Sequence, residues 1–484
     1  MRNCKLIILD ECNCKFEGLD VTTRRKLSNK VKFMLPYARH TPAFKLGRWD
    51  GCIRFCDIGG RTNINLLDRL IPIVNDAGYQ IEIEDRRQHY DFQFEKITKD
   101  SYSHIKWPAG HKFENQPIEV MDHQVDAINS YLENPQCMQQ LPTASGKTLI
   151  TGILSNKVEP YGRSIVIVPS KDLVTQTEEM YLNMGLDVGV FYGDRKDYNK
   201  THTVCTWQSL EVLNKKSKHY DESFDIEDFT QDVICVIVDE AHGLGAEVLR
   251  KLMTTAFSRI PIRWGMTGTI PKEEADALCL TATVGPVVNS IKATELQEKG
   301  KLANLQIDIL QLQDNIKAFK TFADEYKYIT TSNDVLEFLA SHAISQSNSG
   351  NTLILVNRVE SGRKLLDIIP DSVFISGAVK SKQRKSEYES VQKENNKVII
   401  ATYGVAAVGI DIPRIFNLYL FEPGKSFIRV IQSIGRGIRT AKDKDFVNVF
   451  DICSNHKYSK RHLTERKRYY REQGYPFKVI KKPL

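Results

Sequence analysis

The run Leu141-Pro142-Thr143-Ala144-Ser145-Gly146-Lys147-Thr148 ends in Gly-Lys-Thr and is followed by apolar Ile150, Ile153 and Leu154 at helical spacing. An apolar run precedes it, so the segment joins a strand to a helix. In such a place successive backbone N–H groups and the helix N-terminus make a cradle for phosphate oxygens. Lys147 can neutralise charge on the outer phosphates and the Thr148 hydroxyl can ligate Mg²⁺. Further on, Val236-Ile237-Val238 delivers Asp239-Glu240-Ala241-His242. Adjacent carboxylates at the end of a buried strand are costly unless a cation or a proton transfer uses them. Asp239 suits a water-mediated Mg²⁺ contact, and Glu240 suits orienting and deprotonating an attacking water. In Gln432-Ser433-Ile434-Gly435-Arg436-Gly437-Ile438-Arg439 two guanidinium groups stand three residues apart, on one helix face if the segment is helical. Such groups stabilise charge on a phosphoryl group in transfer. Plainer readings exist for each: a chance match, an exposed acidic turn, a solvated basic helix end.

These residues need a scaffold, and the chain supplies a rhythm for one. Cys137 to Leu141, Ser164 to Val168, Thr203 to Thr206 and Val233 to Val238 are short apolar runs separated by helical stretches, the pattern of a buried parallel sheet. The rhythm resumes at Thr352 to Val356, Ser372 to Ile375, Lys397 to Thr402, Asn417 to Phe421 and Phe446 to Phe450. The charged stretch Glu295 to Lys301 between the blocks predicts a hinge, and two α/β lobes joined there would form a cleft. Residues 1 to 105 alternate over shorter runs and predict a small α+β domain, closed by a break at Lys106-Trp107-Pro108-Ala109-Gly110. The expected architecture is therefore α/β: an N-terminal domain over 1–105, lobes over 106–294 and 295–454, and a basic tail over 455–484.

With 484 residues, 41% apolar and 26% charged, the chain is an ordinary globular protein of about three domains at roughly 150 residues each. No run is long enough to span a bilayer, and the apolar Leu6 to Leu9 is stopped by Asp10 and Glu11, so no secretory signal is expected. The expected place is the cytoplasm, that of a host cell if a phage encodes the chain. The ten cysteines are expected to be reduced there. Cys12 and Cys14 with Cys52 and Cys56 lack the paired spacing of a structural zinc site; strand cysteines are the expectation, with zinc unlikely.

The net charge of +7 is unevenly placed. Val21 to Arg54 carries nine Lys/Arg against one acid, and Asn455 to Leu484 ten against two, each a net of +8, which leaves −9 on the rest. Localised basic ends on an acidic body imply contact with an anionic partner, nucleic acid before membrane. The first stretch interleaves its cations with Phe33, Tyr37, Phe44 and Trp49, the second with Tyr458, Tyr469, Tyr470, Tyr475 and Phe477, and such rings stack on unpaired bases. An ordinary aromatic core under a solvated face is the alternative for the first.

With the three motifs in that order, the chain resembles the superfamily two helicases over residues 114 to 453, and Gln-x-x-Gly-Arg-x-x-Arg is a hallmark of that family. The resemblance implies tandem RecA-like lobes, ATP with Mg²⁺, and a nucleic-acid strand as substrate. It makes Gln124, in Asp122-His123-Gln124, the adenine reader, and places Gly409 and Asp411 of Gly409-Ile410-Asp411 near the ribose. Ser170 and Lys171, with Thr206, Trp207 and Gln208, resemble strand-contacting motifs of the first lobe; Asn357, Arg358, Thr402 and Tyr403 resemble those of the second. His242, Thr267 and Thr269 would couple hydrolysis to movement. Ala144 stands where the family often has Gly, and Thr267-Gly268-Thr269 where it commonly has Ser-Ala-Thr, which points away from the strict RNA-acting branch. Phe44 to Arg54, with its Trp49-Asp50-Gly51, is similar to the N-terminal domain of phage branch-migration helicases of the UvsW kind. The expected function is an ATP-dependent DNA helicase that unwinds or branch-migrates forked and junction DNA; the alternatives are an RNA helicase and an ATP-gated duplex translocase that separates no strands. No strand-separating wedge is legible in the pattern.

Overall fold

A computed structural model describes the chain except for residues 1, 36, 109–110, 112, 218–224, 316–318, 378–393, 410–411, 413 and 442. It divides into two compact units, Met1–Gln140 with Gly146–Ser290, and Leu141–Ser145 with Ile291–Leu484.

In the first unit, β1 (Arg2–Ile8) and β2 (Asn13–Glu17) are antiparallel neighbours, β3 (Lys32–Met34) and β4 (Cys52–Arg54) form a separate ribbon, and β5 (Arg61–Asn63) and β6 (Tyr79–Asp85) complete a sheet of order β5-β2-β1-β6. Cys4, Leu6 and Ile8 and, on β2, Cys14 and Phe16 are buried on one face with a two-residue period, and Ile7 is buried as well. The helices Val21–Lys30 and Leu67–Asp76 contribute Leu27, Leu70 and Val74 to the same core. That core continues into the next domain through Met138, Leu278 and Val284. Polar clasps add to it: Asn13 Nδ2 donates to the Thr254 carbonyl at 2.9 Å and Asn65 Nδ2 to Gln136 Oε1 at 2.9 Å. Cys12, Cys14 and Cys56 are buried and Cys52 is half-buried, and among the described residues no group of three or more His, Cys, Asp or Glu side chains is placed to hold a metal. Among them, too, no helix is long and apolar enough to cross a membrane.

The first lobe is a sheet of β7 (Gln136–Gln140), β8 (Arg163–Val168), β9 (Val188–Tyr192), β10 (Arg195–Lys196), β11 (His202–Thr206), β12 (Val233–Asp239), β13 (Ile262–Thr267) and β14 (Val287–Ser290), in the order β10-β9-β11-β8-β12-β13-β7-β14. Its inner pairs are parallel. The runs expected from Ser164, Thr203 and Val233 lie within β8, β11 and β12, and that from Cys137 lies within β7 except for Leu141, which falls past its end; β13 is not legible in the sequence because Arg263 interrupts it. Arg263 is 0% exposed, and its guanidinium donates to the carbonyls of Met253, Phe257 and Thr283. Two of those carbonyls lie in the last turns of the helices Glu247–Thr254 and Glu274–Val284, where unsatisfied carbonyls and the helix dipole welcome a cation.

The second unit is built on β15 (Asn304–Gln313), β16 (Thr352–Val356), β17 (Val373–Ile375), β18 (Val398–Thr402), β19 (Asn417–Phe421), β20 (Phe446–Ser454) and β21 (Phe477–Pro483), ordered β17-β18-β16-β19-β20-β15-β21 with parallel pairing throughout. These two parallel-sheet lobes have the tandem RecA-like architecture expected from the sequence. The basic C-terminal segment is built into the second: helix Lys457–Gln473 packs on β20, and β21 pairs with β15. Arg466 grips Asp451 through two hydrogen bonds of 2.8 and 2.9 Å, both side chains 0% exposed, and the Tyr470 hydroxyl donates to the same carboxylate. Leaving either charge alone there costs about 3–5 kcal/mol. This corrects the reading of Tyr469, Tyr470 and Tyr475 as base-stacking surfaces, while Tyr458 and Phe477 are half-buried. Tyr469, Tyr470, Tyr475 and Arg466 are core, because a strand at the sheet edge needs a covered face.

Candidate functional site

In the first lobe the motif residues gather along one rim. Asp239 and Thr267 end β12 and β13, Thr206 ends β11, Ser170 follows β8, and Lys147 opens the helix Lys147–Val158 after β7. Parallel strands put all their carboxyl ends on one side, which is where ligands of α/β sheets bind. Ser170 caps the helix Lys171–Asn183 by accepting from the Leu173 N–H at 3.3 Å. Thr206 shares a hydrogen bond with Ser209 at 3.0 Å, Trp207 starts the next helix, and Lys171 and Gln208 are exposed.

Around the phosphate loop the backbone is unusual in two places. Gly146 has φ +85°, and a Cβ there would lie 2.2 Å from Gln124 Nε2, so glycine is required by conformation and by space. Gln124 is itself fixed, its Oε1 accepting from the Met121 N–H at 2.9 Å, which aims its amide nitrogen at the loop. Ala144 has φ +69°, a left-handed conformation that glycine adopts without strain and alanine does not. The substitution noted in the sequence thus carries a local cost. Leu141, Pro142 and Ser145 are buried and Thr143 half-buried.

From this loop runs one connected polar chain. Lys147 Nζ donates to Glu240 Oε1 at 2.8 Å and stands 4.0 Å from Asp239 Oδ1. Glu240 Oε2 lies 3.3 Å from His242 Nδ1, which is 3.0 Å from Thr267 Oγ1. The Thr267 hydroxyl donates to the Thr269 carbonyl at 3.0 Å, so its oxygen accepts from the ring, and Nδ1 of His242 carries the proton. Glu240 has φ +51°, strain of the kind concentrated at working sites. Burial pushes the Asp239 carboxyl up, against the pull of Lys147. Burial raises Glu240 as well, but the Lys147 ammonium and the His242 ring outweigh it and hold that carboxyl well below the usual range. Of the two carboxyls, Glu240 is thus the more strongly held in its charged form. Two carboxylates gathered at the Lys147 ammonium, with the Thr148 hydroxyl next to it in the chain, are hard oxygen donors of the kind that suit a divalent ion keeping several waters and phosphate oxygens as ligands, as Mg²⁺ does.

In the second unit the residues following β16 and β18 are tied together. Asn357 Nδ2 donates to the Glu422 carbonyl at 2.9 Å, Arg429 Nη1 donates to Asn357 Oδ1 at 3.0 Å, and the Arg429 guanidinium lies 5.7 Å from the centre of the Tyr403 ring. Thr402 ends β18 half-buried, and Arg358 stands at the N-cap position of the helix Val359–Ile368 without a side-chain capping bond. Tyr403 departs from its expected role. It is 3% exposed, so its ring lies in the core beside Arg429 and is not free to face a bound strand. Gly409 closes the helix Tyr403–Gly409, and Asp411 lies outside the described residues.

Arg436 sits in the helix Phe427–Gly437, whereas Arg439 falls just past its end, so the expected shared helical face is only approximate. Gln432 is 8% exposed on the same helix. The residue that pins Arg439 was invisible as a motif. Lys444 is buried and donates to the carbonyls of Gly437 and Arg439, closing the helix end as a C-terminal cation should.

Glu422 is a second such residue. It has φ +42°, and its carboxylate accepts from Ser459 Oγ at 2.6 Å. Burial, opposed chiefly by Arg466, pushes its carboxyl up from 4.5 to about 7. A carboxyl raised on folding contributes stability below its unfolded value, and that stability is lost as pH rises through the folded one. We expect Glu422→Gln to remove a slope between pH 4.5 and pH 7 worth about 3 kcal/mol in all. Denaturant unfolding of both proteins across that window checks it; a pH-independent difference between them refutes it.

The chain matches two domain families, DEAD/DEAH box helicase over residues 121–291 and helicase conserved C-terminal domain over residues 307–441. The ATP-dependent DNA helicase uvsW of Enterobacteria phage T4 is 23% identical over 470 residues, 93% of this chain and 90% of that protein. The DNA 3′-5′ translocase XPB2 of Sulfurisphaera tokodaii is 25% identical over 291 residues, 59% of this chain and 60% of that one. Among solved structures, a fragment of a putative HsdR subunit of a type I restriction enzyme from Vibrio vulnificus shares the fold, with a TM-score of 0.57 at 16% identity over 99% of this chain and 86% of that one.

Proposed function

The chain belongs to the superfamily two helicases, enzymes that hydrolyse ATP to act on nucleic acid, and on that footing we propose that its substrate is forked and junction DNA, which it unwinds or branch-migrates. The observation that carries the motor's assignment is the hydrogen-bonded chain from Lys147 through Glu240 and His242 to Thr267. In the proposed cycle, Gln124 reads adenine, and the loop Leu141 to Thr148 cradles the phosphates while Lys147 leaves Glu240 for them. Thr148 and, through water, Asp239 would hold Mg²⁺, which when bound would neutralise phosphate charge. Glu240, freed of its ion pair, takes the proton of the attacking water. Arg436 and Arg439 complement the charge that develops on the transferred phosphoryl group. His242 loses or regains its partner on Glu240 as this happens, and Thr267 and Thr269 feel the change. Ser170, Lys171, Thr206, Trp207, Gln208, Asn357, Arg358 and Thr402 hold the strand, chiefly by its backbone, so sequence preference is slight and affinity falls with salt.

The choice of DNA forks rests on the likeness to the phage helicase, which extends through the N-terminal domain, and on the basic surface that domain carries. An ATPase and unwinding panel over synthetic forks, four-way junctions, plain DNA duplexes and RNA duplexes tests it. Forks and junctions should be processed fastest. Equal activity on RNA would replace the reading with an RNA helicase, and DNA-stimulated hydrolysis without any displaced strand would replace it with a duplex translocase.

A further inference from the structure

Between β3 and β4 the chain leaves the ribbon and returns, described from Tyr37 to Gly51. This excursion is a built object. It holds the short helical turns Ala38–His40 and Pro42–Lys45, packed on one another, with Ala38 fully buried between them and the ribbon. The Arg48 N–H donates to the Ala43 carbonyl at 2.9 Å, the Leu35 N–H to the Gly51 carbonyl at 2.8 Å, and Trp49 Nε1 to the Cys52 carbonyl at 3.1 Å. Gly51, at φ +76°, leaves no room for a Cβ, which would lie 2.8 Å from that of Ala38 and 3.0 Å from the Phe44 ring.

On this firm base the outward side chains are of two kinds. Tyr37 and Leu46 are 59% and 64% exposed. Arg39, Lys45 and Arg48 of the same excursion are exposed cations, and its one carboxylate, Asp50, is already bound by Lys32 and Arg54. Exposed apolar side chains interleaved in the chain with exposed cations have no use for the protein's own core and match an object with flat apolar faces and a flanking anionic backbone. The end of a DNA duplex where its strands part is such an object.

The base of the excursion is bound to the motor. Its strand β3 packs on the helix Glu274–Val284, and Phe33 and Ile53 join the shared core. That same helix packs on the turn Ala241–Gly245, which carries His242, and follows Thr267–Thr269 in the chain. A change at His242 therefore has one helix to cross.

We propose that the excursion from Tyr37 to Gly51 is the wedge against which this protein parts the strands of a DNA fork, with Tyr37 and Leu46 meeting the last base pair and Arg39, Lys45 and Arg48 receiving the diverging backbones. The proposal rests on the reading of the chain as a DNA-unwinding enzyme. The test measures base pairs opened per ATP hydrolysed on a forked DNA for the double variant Tyr37→Ala/Leu46→Ala. Loss of one stacking contact predicts a fall in that ratio of about tenfold or more, with Tyr37→Phe close to wild type. Leu182→Ala, an equally exposed apolar residue at 59%, should leave the ratio unchanged. An unchanged ratio in the double variant overturns the wedge, as does a parallel loss of unwinding and hydrolysis, which would make the surface a strand-loading site. A wild-type protein that opens no DNA fork overturns the functional reading itself, a separate result.

Discussion

Glu240→Gln should bind ATP at least as tightly as the wild type and hydrolyse it about a thousandfold more slowly, the upper-middle range for loss of a positioned general base. The retained binding follows from the ion pair. Lys147 donates to Glu240 at 2.8 Å, so incoming phosphates compete with that carboxylate for the ammonium. Glutamine releases Lys147 and leaves Asp239, 4.0 Å away, as its remaining anion. Single-turnover hydrolysis together with equilibrium nucleotide binding separates the two effects. Lys147→Ala is the contrast in the same assay. It removes the cation that holds the Glu240 carboxyl down, so it should lose nucleotide affinity and all unwinding together. An undiminished hydrolysis rate in Glu240→Gln would take the residue out of the role of base.

Arg436→Ala and Arg439→Ala should each lower turnover by about 10³-fold while changing the KM for ATP little, the signature of groups that act on transition-state charge. Burial lowers the Arg439 guanidinium only to about 10, so it is a full cation at neutral pH. Its backbone is pinned by Lys444, and a flexible point charge does not reproduce a planar fork, so Arg439→Lys should fail to restore the rate. Steady-state ATPase with saturating single-stranded DNA measures both. Losses below about tenfold, or a rise in KM with unchanged kcat, would show that the pair binds nucleotide uniformly and does not serve the phosphoryl transfer.

Both predictions draw on residues that stand out in the amino-acid sequence itself. A phosphate loop must be contiguous, since the cradle is made of successive N–H groups, and it can therefore be seen as Gly-Lys-Thr between a strand and a helix. The same holds for Asp239 and Glu240 at the end of β12, and for strands whose burial on both faces makes them unbroken apolar runs. Charge, too, is readable as two basic ends on an acidic body. Local chemistry leaves local patterns.

Only the tertiary structure decided which distant residues meet. The sequence set His242 and Thr267 in separate motifs; the adjacency of β12 and β13 brings Nδ1 and Oγ1 to 3.0 Å. Nothing local marked Glu422, Arg429 or Lys444, whose roles exist only through the carbonyls and side chains they reach across strands and turns. The aromatic tail has the composition of a nucleic-acid contact, yet a buried Asp451 on β20 draws Arg466 and Tyr470 inward, and Tyr469 and Tyr475 are buried in the same core. Arg263 broke the pattern of β13 because its compensation, three helix and turn carbonyls, comes from residues 6 to 20 positions away. In each case burial sets the outcome: removing a polar group from water is affordable only with a partner, and the partner is chosen by the order of strands in a sheet, which no short stretch of sequence encodes.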